Sequence, residues 1–239
     1  MAAAPLETLV VPAVSRHTAT VIFIHGLGDR AEGMKPIIDR CKTDEDLSHV
    51  KWVLPYSPVR ALTANMGIVM PSWFDILSFG LNSTEDEDGM RKSARLIQEL
   101  IESEIRSGTD PSRIVIGGFS QGATMSLLSA LTGSRKLAGI AVLSGWIPLK
   151  HKFKELASPI AASIPIFWGT GSADQLVKLQ YSKECAEFLN TELGFPTLTP
   201  DSGEIKGLSY NVYDGLGHET TPSELDDLKS FIKRAIPKS

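Results

Sequence analysis

The sequence predicts an α/β fold: a mainly parallel central sheet with helices on both faces. Short β-branched runs alternate with helical patterns along the whole chain. The runs are continuously apolar, as expected of strands covered on both sides. Strand–helix alternation of this kind favours a parallel sheet. No internal repeat, low-complexity tract or long linker interrupts the pattern, so residues 1–239 read as one domain.

The elements follow in order. "LETLVVPA" reads as a first strand and "TVIFIH" as a buried one. "GMKPIIDRC" reads as a short helix. "KWVLPY" is a core strand stopped by Pro55 and Pro58. A long irregular segment then runs from "RALTAN" to "TEDEDG", and loops of this length are often functional. The acids of "TEDEDG" suit the first turn of a helix, where carboxylates meet the positive end of the dipole. That helix carries Met90, Ala94, Ile97, Ile101 and Ile105 on one face. "RIVIGGF" is the next strand and "QGATMSLLSAL" the next helix. "LAGIAVLSG" and "IPIFWG" are two more buried strands. A helix over residues 176–193, the strand "LSYNVYDG" and the amphipathic helix "TPSELDDLKSFIKRAI" complete the chain. In such sheets ligands bind at the carboxyl ends of the strands, so the strand-to-helix loops are the places to look for chemistry.

Composition excludes several classes. The net charge of −4 offers no basic face for nucleic acid. Two cysteines, Cys41 and Cys185, do not make a disulfide framework and suit a reducing compartment. The N-terminus lacks a basic segment followed by an apolar one, so no signal peptide is expected. The longest nearly apolar run, "LAGIAVLSGWIPL", is too short to span a bilayer.

Three glycine motifs compete. "GLGDRA" (26–31) matches a dinucleotide fingerprint, but the second core strand ends in "PYSP" without the acid that holds a ribose. "GGFSQGAT" nearly spells a phosphate-binding loop, but Ala123 stands where the lysine belongs. The same residues spell Gly118-Phe119-Ser120-Gln121-Gly122. A G-x-S-x-G turn between a strand and a helix exposes the serine as a nucleophile. The plainer alternative is that Ser120 caps the helix.

A serine hydroxyl needs a base, and the base needs an acid to orient it. Around such turns both partners follow the serine in the chain. Only His151 and His218 do so. His151 sits in the charged segment "PLKHKFKE" and reads as surface. His218, in "GLGHE" between the last strand and the last helix, is the expected base, and a histidine base predicts a rate rising between about pH 6 and 7.5. Asp174, in the loop after "IPIFWG", is the expected acid, although it could instead cap the next helix. Asp214 is the second candidate, and Asp201 reads as solvated. An oxyanion hole needs two preorganised N–H donors. The amide of Gln121 is one, and that of Leu27, flanked by Gly26 and Gly28, is the other. His25 reads as structural, bonding this loop in place. The apolar stretch "NMGIVMPSWFDILSFG" is the candidate surface for an acyl chain, with core packing as the alternative.

"FIHGLGD", "MPSWFDI", "EDEDG", "RIVIGGFSQGA", "KLAGIAVLSGWIPL", "SADQLV" and "GLGHE" stand in the order found in a known family. Over nearly its whole length the chain resembles the acyl-protein thioesterases, or cytosolic lysophospholipases, of the α/β-hydrolase superfamily. The resemblance implies an α/β-hydrolase fold and cleavage of the thioester joining a fatty acyl group to a protein cysteine. Lysophospholipids and simple carboxylic esters are the alternative substrates. The family's nucleophile, acid and base map onto Ser120, Asp174 and His218, and its oxyanion donors onto Leu27 and Gln121. An acyl channel would be lined near Leu27, Trp73, Trp146, Leu176 and Val177. No metal or cofactor is implied, and the partners are S-acylated proteins or lysophospholipids, met through transient contact with a membrane surface. The expected setting is the cytoplasm, with the nucleus as a second compartment. A hydrolase fold that binds lipidated peptides without turnover is the alternative of another class.

Three stretches depart from the family's pattern. "SQGAT" replaces "SQGG", Gly145 stands where relatives often carry a cysteine, and "ADQLVK" replaces a "CDPLVP" type of loop, removing two prolines. The N-terminal "MAAAP" also lacks the cysteine through which some relatives are lipidated.

Overall fold

The structure is a computed structural model that describes residues 5–78, 84–196 and 205–238. The N-terminal "MAAA" and Asp201 lie outside the described residues. Among the described residues, nine strands and six α-helices follow one another as β1 (Thr8–Val11), β2 (Ala19–Ile24), α1 (Lys35–Lys42), β3 (Val50–Pro55), β4 (Val59–Leu62), β5 (Ile68–Pro71), α2 (Glu87–Arg106), β6 (Ile114–Phe119), α3 (Gln121–Leu131), β7 (Gly139–Leu143), α4 (Lys150–Leu156), β8 (Ile166–Gly171), α5 (Leu179–Thr191), β9 (Leu208–Tyr213) and α6 (Pro222–Ala235).

Seven strands form the central sheet in the order β1-β3-β2-β6-β7-β8-β9. Only β1 runs antiparallel, opposing Thr8 to Pro55, while the other pairings are parallel. The continuous apolar runs are explained by two cores. Ile22 and Ile24 of β2 face one, with α2, α3 and α5, whereas Val21 and Phe23 face the other, with α1 and α6. Successive side chains of a strand point to opposite faces, so a strand with helices on both sides has no polar face.

The predicted helical stripe is present. Met90, Ala94, Ile97 and Ile101 of α2 are buried and Ile105 packs against the same core. Asp86 caps α2 by accepting the Gly89 N–H at 2.9 Å, and Glu87 and Asp88 occupy its first turn. Loss of such a cap typically costs ~1 kcal/mol.

Two sequence expectations need correction. The segment read as irregular contains a hairpin, β4–β5, pairing Val59 with Pro71 and Leu62 with Ile68. His151 is exposed, as expected, and lies on α4, a helix anchored by the buried Phe153. The helix expected from residue 176 begins at Leu179, because the Asp174 side chain takes the amides of Leu176 and Val177 and holds them out of the helix. Among the described residues, no helix is long and apolar enough to cross a membrane.

Candidate active site

Ser120, Asp174 and His218 leave the carboxyl ends of three parallel strands: β6, β8 and β9. The strand order puts β6 two places from β8 and β9 beside it, so residues 98 and 44 apart in sequence meet at one rim.

Ser120 occupies the turn from β6 into α3 with φ 55 and ψ −119. A positive φ at a non-glycine residue is strained, and such strain gathers at functional sites. The turn closes only because its neighbours are small. A Cβ on Gly118 would strike the Ile24 carbonyl oxygen, and one on Gly122 would strike the carbonyl oxygens of both Ile24 and His25. Although Ser120 stands at the N-cap position, its hydroxyl makes no cap bond. It lies 2.9 Å from His218 Nε2. The alternative of a simple helix cap therefore fails on geometry.

The far side of the imidazole is fixed by Asp174. His218 Nδ1 stands 2.8 Å from Asp174 Oδ2. A carboxylate can only accept, so Nδ1 carries the proton in the neutral ring and Nε2 is left to accept from the Ser120 hydroxyl. Phe119 packs on the ring at 4.9 Å between centroids. The Asp174 side chain is fully shielded from solvent. Burial pushes its carboxyl up. The hydrogen bonds from His218, Val177 and Leu176 outweigh burial and hold it below the usual aspartate range. Asp174 thus plays both parts weighed for it: Oδ2 serves His218, while Oδ1 accepts the amides of Leu176 and Val177 at 2.8 and 2.9 Å. These bonds also tie the loop that lacks the two prolines. Asp214 instead accepts from the Ser172 hydroxyl at 2.9 Å and does not reach His218.

Gln121 is the first residue of α3, where an amide has no acceptor within the helix. The Leu27 amide has no acceptor among the described residues. Its loop adjoins the serine, since a Cβ on Gly26 would stand 3.5 Å from Ser120 Cβ. His25 holds this loop as expected. Its Nε2 accepts the Ser57 N–H at 3.2 Å, so Nδ1 donates to the Gly26 carbonyl at 2.7 Å. Burial lowers the His25 pKa against the opposing pull of the Gly26 carbonyl and of Asp29 and Glu32, in keeping with a neutral ring.

The side chain of Gln121 has a role that no sequence period signals. It is buried, its Oε1 accepts the Trp73 N–H at 2.8 Å, and its Nε2 donates to the Phe74 carbonyl at 2.9 Å. Ser93 Oγ donates to the Trp73 carbonyl, and Asp86 accepts the Asp75 N–H at 2.8 Å. Residues 72–75 are therefore strapped to the serine turn and to α2.

The residues expected along an acyl channel divide. Trp73 is a correction. It is 0% exposed, and its indole N–H donates to the His25 carbonyl at 2.9 Å, so it is a strut beneath the Gly26–Gly28 loop and not a channel wall. Val177 is buried beside Asp174, whereas Leu176 is 71% exposed at the rim. Leu27 and Trp146 are half-buried. The apolar stretch that holds Trp73 splits likewise: Trp73 and Phe74 turn inward, and Met66, Ile68 and Val69 turn out to solvent. Both cysteines are free and buried, with burial raising the thiols of Cys41 to about 12 and Cys185 to about 11, so neither competes as a nucleophile.

The two departures near the serine prove complementary. A Cβ on Gly145 would stand 2.8 Å from Ala123 Cβ and 2.9 Å from Val142 Cγ1. The methyl at position 123 fills the space that a side chain at 145 would need.

The phospholipase/carboxylesterase family model matches residues 7–236. Acyl-protein thioesterase 1 of Cryptococcus neoformans is 40% identical over 235 residues, 97% of this chain and 98% of that protein. Its Neurospora crassa namesake is 42% identical over 241 residues, 96% and 92% of the two chains. Among solved structures, SOBER1 of Arabidopsis thaliana superimposes with a TM-score of 0.82 at 31% identity, covering 92% of this chain and 99% of that one. Acyl-protein thioesterase 2 of Zea mays gives 0.79 at 27%, covering 96% and 99%. With the sheet order, the strained serine turn and these matches together, the chain belongs to the phospholipase/carboxylesterase family of the α/β-hydrolase fold.

Proposed function

We propose that the protein is a serine hydrolase that removes long-chain acyl groups from S-acylated protein cysteines. One observation carries the chemistry: the unbroken hydrogen-bonded line from Ser120 through His218 to Asp174, at 2.9 and 2.8 Å. The substrate class rests on the acyl-protein thioesterases matched at about 40% identity over nearly the full chain.

His218 Nε2 takes the hydroxyl proton as Ser120 Oγ attacks the thioester carbonyl carbon. Asp174 keeps the ring oriented and stabilises the imidazolium. The tetrahedral oxyanion rests on the Leu27 and Gln121 amides, and losing one such donor typically costs ~10²–10³ in turnover. The C–S bond breaks, the sulfur leaves with the proton from His218, and an acyl ester on Ser120 remains. Water then gives one proton to His218 and adds its oxygen to the carbonyl. Collapse of this second intermediate frees the fatty acid and returns the proton to Ser120.

Contact with a membrane surface belongs to the same reading. The β4–β5 hairpin exposes Met66 (92%), Val69 (64%), Val59 (62%) and Ile68 (50%), and an exposed apolar cluster of this kind marks an interaction surface. A cytoplasmic setting agrees with two free thiols. The test is turnover of a palmitoyl thioester peptide beside a lysophospholipid, in wild type and Ser120→Ala. The reading expects faster thioester cleavage that is lost in the variant. Faster lysophospholipid cleavage would move the substrate class, and activity persisting in Ser120→Ala would remove the nucleophile.

A further inference from the structure

The loop after β7, residues 144–149, runs beside the serine turn and is strained at both ends. Ser144 has φ 49 and Leu149 has φ 51, and neither is glycine. Such a loop persists only where its surroundings hold it. Ser144 N–H donates to the Gly169 carbonyl at 2.9 Å, Trp146 N–H to Thr124 Oγ1 at 3.2 Å, and Ile147 N–H to Cys185 Sγ at 3.4 Å. Two further anchors come from one side chain 61 to 64 residues away. Glu85 Oε2 accepts the Leu149 N–H at 2.6 Å, and its Oε1 accepts the Trp146 indole N–H at 3.2 Å.

Trp146 is well placed to matter. It follows Gly145, which packs on Ala123, and its own N–H donates to Thr124 Oγ1, while the Thr124 N–H donates to the Ser120 carbonyl at 3.0 Å. Its half-buried indole meets Phe74 edge-on at 6.0 Å, and Phe74 is held by Gln121, the neighbour of the serine. The half-buried Trp146 indole thus rests on the buried Phe74, and the two are tied to the serine turn from different sides.

We propose that Glu85 is a positioning residue for acyl-chain selection, its carboxylate fixing the Trp146 indole and the Leu149 turn. Burial raises the Glu85 carboxyl, opposed by the Leu149 and Trp146 hydrogen bonds and by His151. Glu85 is only half-buried, and these partners offset the cost of shielding its carboxylate from water. The proposal rests on the hydrolase reading and goes beyond it. It makes the preference for long chains depend on a residue in the segment leading into α2, outside the serine, histidine and acid.

The experiment compares kcat/KM for p-nitrophenyl acetate and p-nitrophenyl decanoate in wild type, Glu85→Ala, Trp146→Phe and the double variant. Each single variant is expected to lower the decanoate-to-acetate ratio about fivefold, mainly through KM for decanoate, and Glu85→Ala is expected to retain acetate turnover and fluorophosphonate labelling of Ser120. Because both changes break the same contact, the double variant should fall no further than the worse single one. A merely structural role would lower both esters together and leave the ratio unmoved. That result, or single effects that multiply in the double variant, overturns the proposal. If Glu85→Ala does not fold, Glu85→Gln carries the same expectation, since its amide must turn a donor toward one of the two N–H groups. Absence of acetate turnover in wild type would count against the Ser120 reading instead.

Discussion

Adding a methyl at Gly145 should destabilise the fold, and removing the one at Ala123 should relieve part of that cost. A Cβ at 145 would sit 2.8 Å from Ala123 Cβ and 2.9 Å from Val142 Cγ1, against an optimum of about 3.5–4.0 Å between carbons. Position 145 is not among the positive-φ glycines, so crowding is the main penalty. Overpacking of this degree costs about 1–3 kcal/mol, or roughly 2–12 °C in Tm for a chain of this size. Ala123→Gly alone costs about 1 kcal/mol through helix propensity. In the double variant Ala123 no longer opposes the new methyl, although Val142 still does. The two costs should therefore fall short of their sum by about 1 kcal/mol. Denaturant unfolding of the four proteins measures this coupling. Additive costs, within about 0.3 kcal/mol, would refute the steric account.

Asp174→Asn should keep the fold, because the remaining carbonyl oxygen still accepts the Leu176 and Val177 amides. It would place an amide donor against His218 Nδ1, favour the wrong tautomer and lower kcat on the order of 10⁴. A loss under tenfold in steady-state assays would contradict the orientation given to His218. His25 makes stability pH-dependent. Burial lowers its pKa from 6.5, so the unfolded chain binds the proton first as pH drops. Its contribution is complete above about 6.5 and is lost as pH falls toward the folded-state value. His17 and His49 are lowered too, so the His25 share is read by difference: Tm should vary less between about pH 7 and 5 in His25→Gln than in wild type. An equal slope would refute it. Met66→Asp with Val69→Asp should weaken sedimentation with phospholipid vesicles while leaving acetate ester turnover unchanged. Undiminished vesicle binding would rule out the hairpin as the contact.

The meeting of Ser120, Asp174 and His218 was legible in the sequence because each occupies a strand-to-helix loop, and chain order removes most competitors. The glycines flanking Ser120 gave a strong local signal, since only small residues let β2 approach the turn. Trp73 was misread because the size of a tryptophan predicts burial but not whether the buried ring lines a channel or supports a loop. Its indole bond to the His25 carbonyl spans 48 residues and leaves no mark in any local pattern. The same holds for the Gln121 side chain and for Glu85, which sits among acids that fit a helix start and instead reaches the loop after β7. The hairpin was missed because β4 and β5 are only four residues each, with no clear alternation. Helix α4 was missed because it buries a single residue, Phe153, which gives no period to read.

Intact-mass spectrometry of the protein, quenched with acid during turnover of a palmitoyl thioester, tests the acyl-enzyme step most directly. Chemistry through Ser120 predicts one added acyl group, mapped to the peptide holding Ser120 and absent in Ser120→Ala. An acyl group on another residue, or unimpaired turnover by Ser120→Ala, would contradict it.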